Sequence, residues 1–152
     1  MGMYFEDFYE GYSFETGKRR LSEKELISFA EEWDYQSFHL DTSMAKNTKF
    51  KGLIASGWQT LLIAFTLILD TEKINKCSLG SPGLEDVKWL IPVRPNDTLS
   101  CKVRVISARL SKSGGYGIVK ILVEIFNQAK ELVASMKAIW MLKVRPIELP
   151  TK

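Results

Sequence analysis

Histidine occurs once in the 152 residues, as His39, and cysteine only twice, as Cys77 and Cys101. Imidazole and thiolate are the usual zinc ligands, and these three residues have no metal-site spacing, so the sequence carries no zinc signature. Two isolated cysteines also make no disulfide framework; they are expected to be buried or half-buried reduced thiols of a cytoplasmic protein. Charge of one sign is missing as well. Twenty-one Lys and Arg against eighteen Asp and Glu leave a formal charge of +3. No basic block is longer than Lys18-Arg19-Arg20, which excludes the footprint of a nucleic-acid-binding chain. Ten glycines and five prolines build no linker or low-complexity tract, and no internal repeat is visible. One domain spanning 1–152 is therefore expected. The segment Met1-Gly2-Met3-Tyr4-Phe5-Glu6-Asp7 lacks the basic and apolar regions of a signal peptide, and Glu6 departs from the myristoylation pattern. No membrane span is expected either. Gly52 to Leu69 is uncharged, but its first half is rich in small and polar residues. Its apolar part, Leu61 to Leu69, covers only about two and a half helical turns.

What is present is an ordinary globular composition, 45% hydrophobic and 26% charged. A chain of this length buries roughly 68–70% of its unfolded surface and needs no covalent staple. Ser22 with Glu25 three residues on forms a capping box. Leu26, Ile27, Phe29, Ala30 and Trp33 then share one face of an amphipathic helix that ends near Asp34. Tyr35 to Phe50 reads as an extended loop with a short helical turn at Thr42-Ser43-Met44-Ala45, for which Asp41 is the N-cap. A helix apolar all round, from Ile54 to about Glu72, is one enclosed by protein. Ser78 to Gly83 reads as a turn.

Beyond it the period becomes two. Leu99, Cys101, Val103 and Val105 form one alternating run, and Val119, Ile121, Val123 and Ile125 a second. Leu132, Ala134, Met136, Ala138, Trp140 and Leu142 form a third. Gly114-Gly115 and the loop at Asn127 to Lys130 separate them, so the three make an antiparallel meander. A shorter strand around Trp89 and another within Tyr12 to Arg20 are expected. Long strands with one wholly apolar helix imply an α+β fold in which a curved antiparallel sheet wraps around a central helix.

The chemistry concentrates in Asp34-Tyr35-Gln36-Ser37-Phe38-His39-Leu40-Asp41. A loop of this length can fold so that the Asp34 carboxylate and the His39 imidazole face one spot. There they could hold a water molecule and move its proton. The competing reading leaves Asp34 as a helix-end carboxylate and His39 in a polar network. A second element is Gly52-Leu53-Ile54-Ala55-Ser56-Gly57-Trp58 at the head of the apolar helix. The first amides of a helix have no intrahelical acceptor and, with the positive end of the macrodipole, suit an oxyanion. Equally, Gly52 and Gly57 could serve only tight packing. No phosphate loop, dinucleotide fingerprint or nucleophile elbow is present.

Asp34, His39-Leu40-Asp41, Phe50, Ile54-Ala55 and Gly57 resemble the hydratase motif of the MaoC-like dehydratases. That family includes the hot-dog-fold (R)-specific enoyl-CoA hydratases. Ser81-Pro82-Gly83-Leu84, Trp89, Pro92-Val93, Pro95 and Asp97-Thr98-Leu99 resemble its first long strand and lead-in. The likeness implies a hot-dog fold with Asp34 and His39 as the catalytic pair and the Gly57 amide as the oxyanion hole. It further implies a homodimer or higher oligomer with sheets joined edge to edge, and an acyl-CoA or acyl-carrier thioester as substrate. No cofactor and no metal are implied. Two positions depart from the pattern: Gln36-Ser37 stands for the usual Asn-Pro, and Ser56 for a histidine.

The expected reaction is reversible hydration of a trans-2-enoyl thioester to the (R)-3-hydroxyacyl thioester. Residue types leave open whether Asp34 or His39 is the formal base. Trp58, Leu61 and Leu62 are expected in the core beside the acyl chain. Arg94, Lys88 and Lys112 are candidates for the carrier phosphates. Two rivals remain: a non-catalytic acyl-thioester binder and an acyl-CoA thioesterase.

Overall fold

Ser22 caps the first helix as its sequence context requires. In the computed structural model, which describes residues 2–147, its hydroxyl accepts from the Glu25 N–H, and the Glu25 carboxylate accepts from the Ser22 N–H. Met1 and residues 148–152 of the expected domain lie outside the described residues. This helix, α1, runs Glu23–Trp33 and buries Leu26 and Ala30. The core face stops there: Trp33, expected on it, is exposed. Two short helices follow, α2 at Ser37–Leu40 and α3 at Thr42–Lys46. The Asp41 carboxylate caps the second by accepting from the Met44 N–H at 2.9 Å.

The apolar helix α4 spans Gly57–Leu69, shorter at both ends than the expected Ile54 to Glu72. Ile54 and Ala55 instead run extended, their amides donating to Phe38 O and Val93 O. At the other end Glu72 takes a left-handed conformation with φ 58°. One side of α4 is core, with Thr60, Leu61, Ile63, Ala64, Leu67 and Ile68 buried. The opposite stripe, Trp58, Leu62 and Phe65, is open; Trp58 keeps 61% of its surface. The expectation that Trp58 and Leu62 lie in the core is therefore corrected, because the sheet of a single chain reaches round only part of the helix.

Five strands make one sheet: β1 Ser13–Arg20, β2 Ser78–Trp89, β3 Thr98–Leu110, β4 Tyr116–Phe126 and β5 Leu132–Lys143. Their order is β1-β3-β4-β5-β2, every neighbour antiparallel. The three alternating runs form the expected meander, with Val103 opposite Val123 and Val123 opposite Met136. Ser78 to Gly83 is strand, not turn. Its glycines fall at register shifts against β5, with Gly80 at φ 107°, so turn-type residues here serve the irregularities of an edge strand. Leu99, Val103, Ile121, Val123 and Ala138 face α4 and join Leu61, Ala64 and Leu67 in one core cluster. The result is an α+β hot-dog fold. No helix among the described residues is long and apolar enough to cross a membrane.

Candidate active site

Three short segments converge at the head of α4. Asp34 is the C-cap of α1, where the chain leaves the helix and leads into α2. His39 lies in α2, which is stitched to the extended segment before α4 by two hydrogen bonds. Ile54 N–H donates to Phe38 O at 3.2 Å, and His39 Nδ1 meets Ile54 O at 2.7 Å. The imidazole edge lies against Phe38, ring centres 4.5 Å apart. A backbone carbonyl only accepts, so the Nδ1 position carries a proton and Nε2 is the nitrogen free to exchange one.

His39 Nε2 lies 3.2 Å from Asp34 Oδ2. Two acceptors at that distance attract only with a proton between them, held by the ring or by the carboxyl. Each Asp34 oxygen also has its own donor: Gln36 Nε2 reaches Oδ1 at 2.8 Å and Ser56 Oγ reaches Oδ2 at 2.7 Å. Burial alone would raise the Asp34 carboxyl. The hydrogen bonds from Gln36 and Ser56, with the charge and hydrogen bond of His39, outweigh it and hold Asp34 below the usual carboxylate range.

The pair opens onto a cavity of about 450 Å³ lined also by Lys49, Gly57, Trp58 and the segment from Trp89 to Val93. Gly57 is the first residue of α4, so its amide has no acceptor within the helix. It is also a close-packing glycine, because a Cβ there would come within 2.4 Å of the Trp89 ring nitrogen. The packing reading of Gly57 therefore holds, at a residue whose amide has no acceptor within the helix.

The sequence-derived cations fare differently. Arg94 turns inward, its guanidinium donating to the carbonyls of Gly52 and Leu53 at 3.2 Å each and to that of Phe50. It clasps the loop before α4 and is spent as an anion anchor. Lys88 and Lys112 do not line the cavity; Lys49 does, over the Phe50 ring at 5.2 Å. A single lysine in a polar loop leaves no periodic or motif signal, so sequence reasoning passed it over. Both thiols are buried, and burial pushes Cys101 up to about 12, which removes it as a nucleophile. Among the described residues no group of three or more His, Cys, Asp or Glu could hold a metal ion.

A five-stranded antiparallel sheet curved on one central apolar helix defines the hot-dog class, and comparison with known proteins agrees with that fold. The family model described as MaoC like domain matches residues 9–124, and the chain belongs to that family. It is 31% identical over 126 residues to the uncharacterized protein YdeM of Bacillus subtilis (strain 168), covering 83% of this chain and 89% of YdeM. The crystal structure of a MaoC-like dehydratase from Rhodospirillum rubrum superposes with a TM-score of 0.88 at 31% identity, covering 96% of this chain and all of that one. The R-hydratase PhaJ1 of Pseudomonas aeruginosa matches with a TM-score of 0.74 at 23% identity, covering 99% of this chain and 96% of that one. At that identity it speaks for the fold alone. The chain has the fold of the hydratases and dehydratases of this family.

Proposed function

We propose that the protein is a hydratase/dehydratase that adds water reversibly to trans-2-enoyl thioesters, giving (R)-3-hydroxyacyl thioesters. The observation that carries this reading is the 3.2 Å approach of Asp34 Oδ2 to His39 Nε2 beside an open cavity. A water held by both groups is oriented at two points and loses its proton to one of them. Its oxygen bonds to the third acyl carbon as the double bond opens. A proton from the pair reaches the second carbon, so the elements of one water are added and none is left over. Charge that builds on the thioester oxygen meets the Gly57 amide, a contact that strengthens as the charge forms. Because Nδ1 is committed to Ile54 O, proton traffic on the ring runs through Nε2 alone.

The substrate is an acyl-CoA or acyl-carrier thioester. Its acyl chain fits the apolar groove of about 290 Å³ between α4 and the sheet, lined by Leu61, Phe65, Leu84 and Met136. A homodimer suits the same surface, since β2 is a sheet edge and Trp58, Leu62, Phe65 and Leu84 are exposed in the single chain. A cytoplasmic setting fits two free, buried thiols. The test is incubation with crotonyl-CoA and longer trans-2-enoyl-CoAs. Loss of enoyl absorbance without free thiol supports the hydratase. Release of thiol would make it a thioesterase, and binding without either change a non-catalytic acyl-thioester binder.

A further inference from the structure

The two departures from the family pattern, Gln36 and Ser56, meet on one carboxylate. Ser56 is the more informative. It occupies the N-cap position of α4, where a serine hydroxyl ordinarily accepts from a helix amide, yet its side chain makes no capping bond. It is fully buried, and its hydroxyl donates instead to Asp34 Oδ2, 22 residues earlier in the chain, at 2.7 Å. That is the oxygen His39 Nε2 faces at 3.2 Å. A hydroxyl withdrawn from its helix and spent on a carboxylate forgoes the cap that a serine there ordinarily makes, which marks the carboxylate as the group it serves.

We propose that Ser56 is a positioning residue for Asp34: its hydroxyl fixes the rotation of the carboxyl group and favours its anion, so that the shared proton sits on the His39 side of the pair. Gln36 does the same for Oδ1 from the exposed side. A donor on each oxygen leaves Asp34 one route for accepting a further proton, through the face turned to His39 and the cavity. Among the described residues the other titratable group facing this cavity is Lys49, from the segment after α3. Arg94, behind the loop, is occupied by three carbonyls. The kinetic consequence rests on the hydratase reading; the protonation consequence does not.

His39 is the one histidine of the chain, so its ring signals in a proton NMR titration need no assignment and report the protonation of the adjacent Asp34 as an inflection in the acid range. In Ser56→Ala that inflection moves to higher pH by about one unit, the loss of one hydrogen bond to a charged group. Ser56→Cys, nearly the same size with a weak donor, moves it less in the same direction, and serves alone if the alanine variant does not fold. With crotonyl-CoA, kcat of Ser56→Ala falls about tenfold while KM changes less than about twofold, and the acid limb of the pH profile shifts with the NMR inflection. An inflection unmoved in both folded variants, with only the melting temperature changed, would reduce Ser56 to a packing residue and overturn the inference. If the wild type turns over no enoyl thioester, the hydratase reading fails while the NMR titration still decides the role of Ser56.

Discussion

The Trp89 indole lies across Gly57 so closely that a β-carbon on the glycine would sit 2.4 Å from the ring nitrogen. An edge strand of the sheet thereby presses on the first turn of the central helix, at the residue whose amide has no acceptor within the helix. Gly57→Ala forces the ring away and costs about 1–3 kcal/mol of stability. Adding Trp89→Ala removes the clash, so the double variant loses less than the sum of the two single ones. Urea unfolding of the four proteins measures the coupling; strictly additive losses would mean that the ring moves freely.

Asp34→Asn and His39→Ala each lower kcat/KM for crotonyl-CoA by at least about 100-fold, the usual contribution of a positioned acid or base. Far-UV circular dichroism and sedimentation of both variants stay like those of the wild type. Turnover near the wild-type rate by either would end the assignment of the pair.

Stability should also respond to pH through Asp34. Hydrogen bonds and the His39 charge hold its carboxyl below the usual range in the folded state. The folded protein therefore binds this proton less readily than the unfolded chain. Its contribution is complete above the unfolded value of about 3.9 and fades as pH falls through the lower folded value. Urea midpoints of wild type and Asp34→Asn, well separated at neutral pH, converge at the acid end; a constant gap would refute the linkage.

Arg94 is a clasp for the loop that precedes α4, and its removal orphans carbonyls of Phe50, Gly52 and Leu53. Arg94→Ala lowers stability by about 2 kcal/mol and speeds amide exchange across 50–56. Arg94→Lys recovers less than half, since an ammonium lacks the planar fork that reaches three acceptors. KM for CoA substrates rises no more than kcat falls, which separates a clasp from a phosphate anchor.

The stripe Trp58, Leu62 and Phe65 is apolar and open in the single chain. Leu62→Lys puts a charge in its centre and shifts the protein from dimer to monomer in analytical ultracentrifugation, with far-UV dichroism unchanged. A wild type that sediments as a monomer would remove this face as a dimer surface.

Signals that act over a few residues were legible in advance. The Ser22–Glu25 box, the Asp41 cap, the period-two runs of β3, β4 and β5 and the five-residue step from Asp34 to His39 each depend on neighbours within a turn or a pleat. Where strong turn residues sat in an edge strand, at Ser78 to Gly83, the local signal misled, because bulges use the same residues as turns. The exposed stripe of α4 was illegible for a related reason: apolar composition shows that a surface needs a partner and leaves unstated which partner supplies it.

The amino-acid sequence by itself determined the three alternating strands β3, β4 and β5, the apolar helix and the five-residue spacing of Asp34 and His39, since propensity, periodicity and capping are local energies. Only the tertiary structure decided that Ser56 would serve Asp34, that Arg94 would turn inward, and that Lys49 would face the cavity. Ser56 is 22 residues from Asp34, and Arg94 is 41 to 44 from its three carbonyls. Polar groups so far apart along the chain find each other when the sheet curls round α4 and burial penalises every donor and acceptor left without a partner.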